Sequence, residues 1–223
     1  MKLEINNWGM RIGVLFMITI LFSFLFPLSS RGQQAPIFLV SWKANSYAPA
    51  DYQGKILLSP TSSAEIAFEL IDGGKIANLN NKEVRWFINN KLIASGLGLK
   101  TTTYTPSQPG RKDLRVQIQV LNYNGQDLEK IMILPVINPE IVIQPIGSNV
   151  FAGKPYFFNI NSLSDLSFEW SVNGKKTNDL PDNPQFLSLT GIPANTNVTI
   201  NLFSQNLRQA IESSSFSLQF ISE

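Results

Sequence analysis

A chain of 223 residues with neither cysteine nor histidine excludes much chemistry before any motif is sought. Disulfides, thiolate nucleophiles, zinc–thiolate and zinc–imidazole sites, the acylated cysteine of a lipoprotein, a histidine general base and the Ser-His-Asp triad all fall away. The formal net charge is +2, and taking Lys2, Arg11 and Arg31 from the 18 basic residues and Glu4 from the 16 acidic ones leaves 15 of each beyond residue 31. A neutral globular part has no general attraction to phosphate backbones, so no nucleic-acid partner is expected.

Residues 1–35 form the first unit. A charged start leads into an apolar run, Ile12 to Leu28, which only Thr19 and Ser23 interrupt mildly, with Pro27 near its end. That length is at the short end of what crosses a hydrocarbon core of ~30 Å. Arg11 can snorkel, Trp8 suits the headgroup layer, and Lys2 and Arg11 precede the run, which orients the N-terminus inside. Two readings stay open. One is a single-pass transmembrane helix acting as a signal-anchor. The other is a signal peptide cleaved before Gln33, with small residues at Ser30 and Gly32. Arg31 and the length of the run favour the anchor. Under both readings the remainder is extracytoplasmic, and under the first the protein sits in the cytoplasmic membrane.

From Pro36 onward the sequence reads as β structure. "PIFLVSWKA" puts Phe38, Val40 and Trp42 on one face, and "AEIAFELI" does the same with Ile66, Phe68 and Leu70. "EVRWFIN" aligns Val84, Trp86 and Ile88. "LRVQIQV" alternates Leu114, Val116, Ile118 and Val120 against Arg115, Gln117 and Gln119, and "KIMILPVI" follows the turn "NYNGQD". After residue 30 no stretch of twelve or more carries a helical period.

The second half repeats the first at a constant offset. Trp86 matches Trp170, Asn90 matches Gly174, Lys91 matches Lys175, Pro109 matches Pro193, and Leu114, Val116 and Ile118 match Val198, Ile200 and Leu202. One fold used twice is the simplest account. "YFFNINS" from Tyr156 is the expected counterpart of "AEIAFELI", and "SSFSLQFIS" the closing strand. Asn89-Asn90 and Asn173-Gly174 are two-residue hairpin signals, because both turn positions require positive φ. About seven short strands per ~90 residues is the pattern of an immunoglobulin-like sandwich. The expected architecture is all-β: two tandem immunoglobulin-like sandwiches, residues 36–138 and 139–223, after one N-terminal transmembrane helix.

The Trp-x-x-Asn-Gly-like hairpins, followed by "PG....L.V.I.V" and "IP....V.I.L", resemble bacterial immunoglobulin-like and PKD-like domains. That resemblance implies that Trp86 and Trp170 lie on the third strand, in the core. It also implies that Val116 stands at one half of the inter-sheet cysteine pair of antibody domains, and Phe68 or Ile66 at the other. Leu114 stands at the tyrosine-corner position, a departure from the pattern. "SWKANSYAPADYQGKILLSP" and "FELIDGGKIANLNNKEVRWFINNKLIASGLG" also resemble a group of N-terminally anchored bacterial envelope proteins, a likeness that implies location rather than activity.

Candidate sites are few. The apolar same-face neighbours of Trp86 and Trp170 (Val84 and Ile88, Phe168 and Val172) mark core positions rather than sugar platforms. The longest connection is Asn45 to Ser62, beyond the ~12–15 residues at which structureless loops become uncommon, and the second half shows no counterpart. Tyr47 and Tyr52 within it, with Trp42 at its edge, are the candidate partner-binding residues. The competing reading is an ordered loop whose tyrosines pack over the sandwich end. "NYNGQD" offers only Asp127 to a calcium ion, and "NDLPDNP" only Asp179 and Asp182, too few for a tight site. Glu65 and Glu69 read as solvated charges on a polar strand face. "SGLGLK" lacks the pattern of a phosphate loop. Asn197 begins a glycosylation sequon.

No catalytic residue, metal or cofactor is expected, and no enzyme activity. The expected function is a membrane-anchored structural or protein-interaction module of the cell envelope, in a pilus, secretion or cell-wall assembly, with another envelope protein as partner. The alternative is a carbohydrate-binding module or adhesin that contacts a surface glycan.

Overall fold

The computed structural model describes residues 35–106, 113–177 and 182–222. The apolar run Ile12–Leu28 lies outside these. Among the described residues no helix is long and apolar enough to cross a membrane.

The first sandwich contains β1 (Ile37–Ala44), β2 (Ala64–Asp72), β3 (Lys75–Ile76), β4 (Glu83–Ile88), β5 (Lys91–Leu97), β6 (Thr101–Tyr104), β7 (Asp113–Tyr123) and β8 (Gln126–Pro135). One sheet places β2 between β1 on one side and β3 and β6 on the other. The facing sheet has the order β5-β4-β7-β8. The second sandwich contains β9 (Glu140–Gly147), β10 (Val150–Tyr156), β11 (Leu166–Val172), β12 (Lys175–Lys176), β13 (Phe186–Ser188), β14 (Asn197–Asn206) and β15 (Ser213–Ile221). Its sheets run β13-β10-β9 and β12-β11-β14-β15, the same layout with one strand fewer in the first sheet. All these strand pairs are antiparallel. The helical content of the described residues is one 3-10 turn, Leu163–Asp165.

Period-two alternation decides which faces are buried. Ile66, Phe68 and Leu70 face inward on β2, Val84, Trp86 and Ile88 on β4, and Leu114, Val116, Ile118 and Val120 on β7. The first core ends at Val136 and the second begins at Ile141, with no residue shared between them.

Trp86 and Trp170 are core residues, at 0% and 1% exposure. Phe68 meets the Trp86 ring edge-on, centroids 5.6 Å apart. Burying an indole is favourable only if its N–H finds an acceptor. Trp86 Nε1 donates to the Leu99 carbonyl and Trp170 Nε1 to that of Pro184, each at 2.9 Å. The repeat extends to register: Trp86 stands opposite Ile118, and Trp170 opposite Leu202.

The hairpin asparagines explain why the motif recurs. Asn89 and Asn90 (φ 50° and 67°), like Asn173 and Gly174 (φ 51° and 79°), form the tight turn that a two-residue hairpin needs. The first Asn of each turn also reaches across to the next strand. Asn89 N–H donates to the Arg115 carbonyl at 2.8 Å, and its Oδ1 accepts the Arg115 N–H at 3.1 Å. Asn173 does the same with Thr199, at 2.8 and 2.9 Å. Each Asn thus adds two hydrogen bonds to the ladder beside its tryptophan.

One expected strand is misplaced. The counterpart of β2 is Val150–Tyr156, not "YFFNINS", and Phe157 leaves the strand with φ 62°. Gly153 and Pro155 disguise β10 as a breaker-rich stretch. Packing requires the glycine: a Cβ there would lie 2.7 Å from Leu202 Cδ2 and 3.3 Å from the Phe168 ring. Pro155 is tolerated because β13 pairs only with Val150–Ala152, leaving the proline partnered by β9 alone.

Candidate functional site

The connection Asn45–Ser62 is ordered by its own hydrogen bonds. Asn45 N–H donates to the Ser63 carbonyl at 2.8 Å and closes the base. Ser46 Oγ donates to the Leu57 carbonyl at 2.6 Å, and Ser62 Oγ accepts the Ser59 N–H at 2.9 Å. Leu58, fully buried, forms a parallel bridge with Val136, and Ile137 N–H donates to its carbonyl at 2.9 Å. The returning arm therefore covers the end of the β8 edge, as natural sheets do with exposed edges.

The outgoing arm meets the second sandwich. Tyr47 N–H donates to the Phe158 carbonyl at 2.7 Å, and its carbonyl accepts the Phe157 N–H at 2.6 Å. The Tyr52 ring stands edge-on to Tyr156 and Phe157, at 5.6 and 5.7 Å. Lys154 Nζ donates to Asp51 Oδ2 at 3.0 Å, and Asn159 Nδ2 donates to the Thr61 carbonyl at 2.9 Å. Positive φ is unusual for a bulky residue. At Phe157 it lets the chain present an N–H to Tyr47 and a ring to Tyr52 within two residues of the strand end.

The centre of this junction is Glu212, on the turn between β14 and β15 and 1% exposed. Ser59 Oγ donates to its Oε1 at 3.1 Å, and Thr61 Oγ1 donates to the same atom. Its Oε2 accepts the Asn159 N–H and Asn206 Nδ2, both at 2.8 Å. A carboxylate has about four acceptor positions. Two are met from each domain, which offsets the cost of burying the group.

Electrostatics at the junction are modest. The hydrogen bond from Lys154 is the main reason that the Asp51 carboxyl lies below its ordinary value. Burial pushes the Tyr47 phenol up, against the pull of nearby Lys154. At the opposite pole of the first sandwich, burial and then the hydrogen bond donated to Asp72 Oδ2 push Tyr123 up.

The candidate residues Trp42, Tyr47 and Tyr52 thus have assigned places. Tyr47 and Tyr52 both contact the chain's own second domain. Trp42 does not join them: half-buried on β1, it carries the Lys55 ammonium 3.6 Å over its ring centroid, a cation–π contact that occupies one face of the ring. Glu212, Asn159, Lys154 and Phe157 were missed. Nothing in "LRQAIESSS" distinguishes a buried carboxylate from a solvated one.

The remaining candidates are simple. Asp127 Oδ1 accepts the Asn122 N–H at 2.8 Å and shapes its turn. Glu69 pairs with Lys100, and Glu65 is exposed. Asn197, the first residue of β14, is exposed. Asp179 lies outside the described residues. Among the described residues no group of three or more Asp or Glu could hold a metal ion.

Among the described residues, open clefts lie at the outer ends of the two sandwiches. One of about 360 Å³ is lined by Ala35, Pro36, Asp72 and Tyr123 at the N-terminal pole. Another of about 420 Å³ lies between Pro145, Phe151 and Phe220 at the far end of the second sandwich.

The strand order defines the class of this protein: all-β, with two immunoglobulin-like sandwiches in tandem. No protein-family model matches the chain, and no curated protein matches it. Similar solved structures are modules of the same broad kind at low TM-score. The fibronectin(III)-like modules of Clostridium thermocellum CbhA align at 14% identity and TM-score 0.28, over 83% of this chain and 94% of theirs. Three N-terminal domains of the Highly Immunogenic Outer Capsid protein of bacteriophage RB49 align at 11% and 0.41, over 83% and 59%. The central fibronectin-III array of RIM-binding protein aligns at 12% and 0.27, over 81% and 68%.

Proposed function

We propose that this chain is a non-catalytic structural and interaction module of the bacterial cell envelope. The run Ile12–Leu28 anchors it in the cytoplasmic membrane, and the two sandwiches stand outside as one stiff unit. The observation that carries the reading is the junction: a buried carboxylate with two donors from each domain, two backbone hydrogen bonds at Tyr47, and the Tyr52 aromatic contacts. Tandem domains are expected to move relative to one another unless their interface is substantial. A chain that spends its longest connection on suppressing that motion is built to hold something at a set distance and angle. The partner sought is another envelope protein, in a pilus, secretion or cell-wall assembly.

The test is carbonate extraction of membranes from the native host, then affinity capture of the full chain from detergent extract. The expected result is a full-length species that stays in the membrane pellet and brings down a defined envelope protein. A released species starting near Gln33 would remove the anchor. A clear hit on a glycan array, without a protein partner, would replace the reading with a carbohydrate-binding one.

A further inference from the structure

The outward face of the first sheet carries an apolar row that is exposed among the described residues. Register places Ile37 opposite Ile71 and Ile71 opposite Ile76, so three isoleucines cross β1, β2 and β3 in one line. Leu39 lies on the same face, two residues along β1. Ile37, Leu39 and Ile76 are 46%, 57% and 65% exposed. Single exposed aliphatics are ordinary, but a contiguous apolar row on a sheet face marks a contact surface. The nearest charges lie at its rim: Glu69, opposite Leu39, is paired with Lys100, Asp72 accepts the Tyr123 hydroxyl, and Lys75 is exposed beside Ile76.

The position of the row identifies its occupant. It lies at the end of the sandwich where the chain enters β1. Eight residues, 29–36, separate it from the apolar run that ends at Leu28. Eight extended residues reach at most roughly 26–29 Å. With Ile12–Leu28 in a bilayer, this pole is tethered at the membrane surface, and the polar turns Gly73–Gly74 and Asn124–Gly125 are at the same end. We propose that the row Ile37, Leu39, Ile71 and Ile76 rests in the headgroup layer of the anchoring bilayer, so that the first sandwich lies against the lipid with a fixed face. This rests on the anchor reading above and deepens it. The physical basis is that of interfacial amphipathic surfaces, apolar side chains inserted shallowly beneath a polar rim.

The absence of cysteine makes the test clean, because one introduced thiol gives one label. The exposed sites Leu39→Cys, Ile76→Cys and, on the second sandwich, Ile146→Cys would each carry an environment-sensitive fluorophore. The full chain is reconstituted into phosphatidylcholine vesicles with and without phosphatidylglycerol, containing brominated lipid as quencher. The expected result is co-flotation with vesicles, with quenching at 39 and 76 severalfold that at 146. Co-flotation with equal, weak quenching at all three sites would overturn the proposal and leave the anchor standing. Failure to co-float would overturn both. Pyrene excimer emission at 76 without lipid quenching would put a second copy on the row, and would also overturn it.

Discussion

At the residue scale, Trp86 and Trp170 are the largest fully buried side chains of their domains, each with its indole N–H satisfied. Trp86→Ala is expected to destabilise the first sandwich by about 3–5 kcal/mol, as other large core deletions do, and Trp170→Ala to act alike in the second. Chemical denaturation checks both, and a loss under ~1 kcal/mol would contradict their place in the core. Asp51 is a smaller case. Its folded carboxyl titrates below the ordinary value of 3.8 because Lys154 hydrogen-bonds the charged form. A depressed carboxylate contributes above the unfolded value, and that contribution is lost as pH falls through the folded one. The Asp51–Lys154 contact should therefore be constant near neutrality and fade only in acid. The carboxyl chemical shift of Asp51 should titrate with a midpoint under 3.8, and Lys154→Met should raise it.

At the element scale, the strands with a marked period-two alternation, and β8 after its turn, were legible, while β5, β9 and β10 were not. β1, β2, β4, β7, β14 and β15 follow the period-two rule. The Asn turns are legible because only a narrow set of residues tolerates paired positive φ. β10 was not legible, since its glycine and proline respond to neighbours far away in the chain. β3, β6 and β13 are too short for periodicity to register. Gly153→Ala offers a direct check. The new methyl would press on Leu202 and Phe168, and should cost about 1–3 kcal/mol, the range for overpacked cores. The corresponding change at Gly125, where a Cβ meets nothing within 4 Å, should cost only the strain of positive φ. The difference between the two in denaturation midpoint separates packing from backbone effects.

At the scale of the whole molecule, the segment that looked most like an outward-facing binding loop is what joins the two halves. Glu212→Ala should leave the buried donors at Ser59 and Asn206 without that acceptor, at about 1–3 kcal/mol for each that finds no substitute, and the half-buried donors at Thr61 and Asn159 at a smaller cost, since water can reach them. Because two of these donors belong to each sandwich, the effect should fall on the junction rather than on either core. Small-angle scattering and residual dipolar couplings should show a broader spread of interdomain angles, with one melting transition splitting into two. A narrow, unchanged orientation would show that Tyr47 and Tyr52 suffice without it. Tyr52→Ala, which removes both edge-on contacts, should loosen the junction less and leave each core intact.

The all-β class, the duplicated pattern, the inward faces of the long strands, the buried Trp86 and Trp170 and their turns can all be read from the residues alone. All of these rest on local rules: alternation with period two, and the few residues that accept positive φ. The place of Asn45–Ser62 and the burial of Glu212 emerge only once the chain is folded. The reason is that Tyr52 meets Phe157, and Ser59 meets Glu212, across gaps of a hundred residues or more. The value of a tyrosine or a carboxylate depends on which distant surface folds against it, and no local pattern records that.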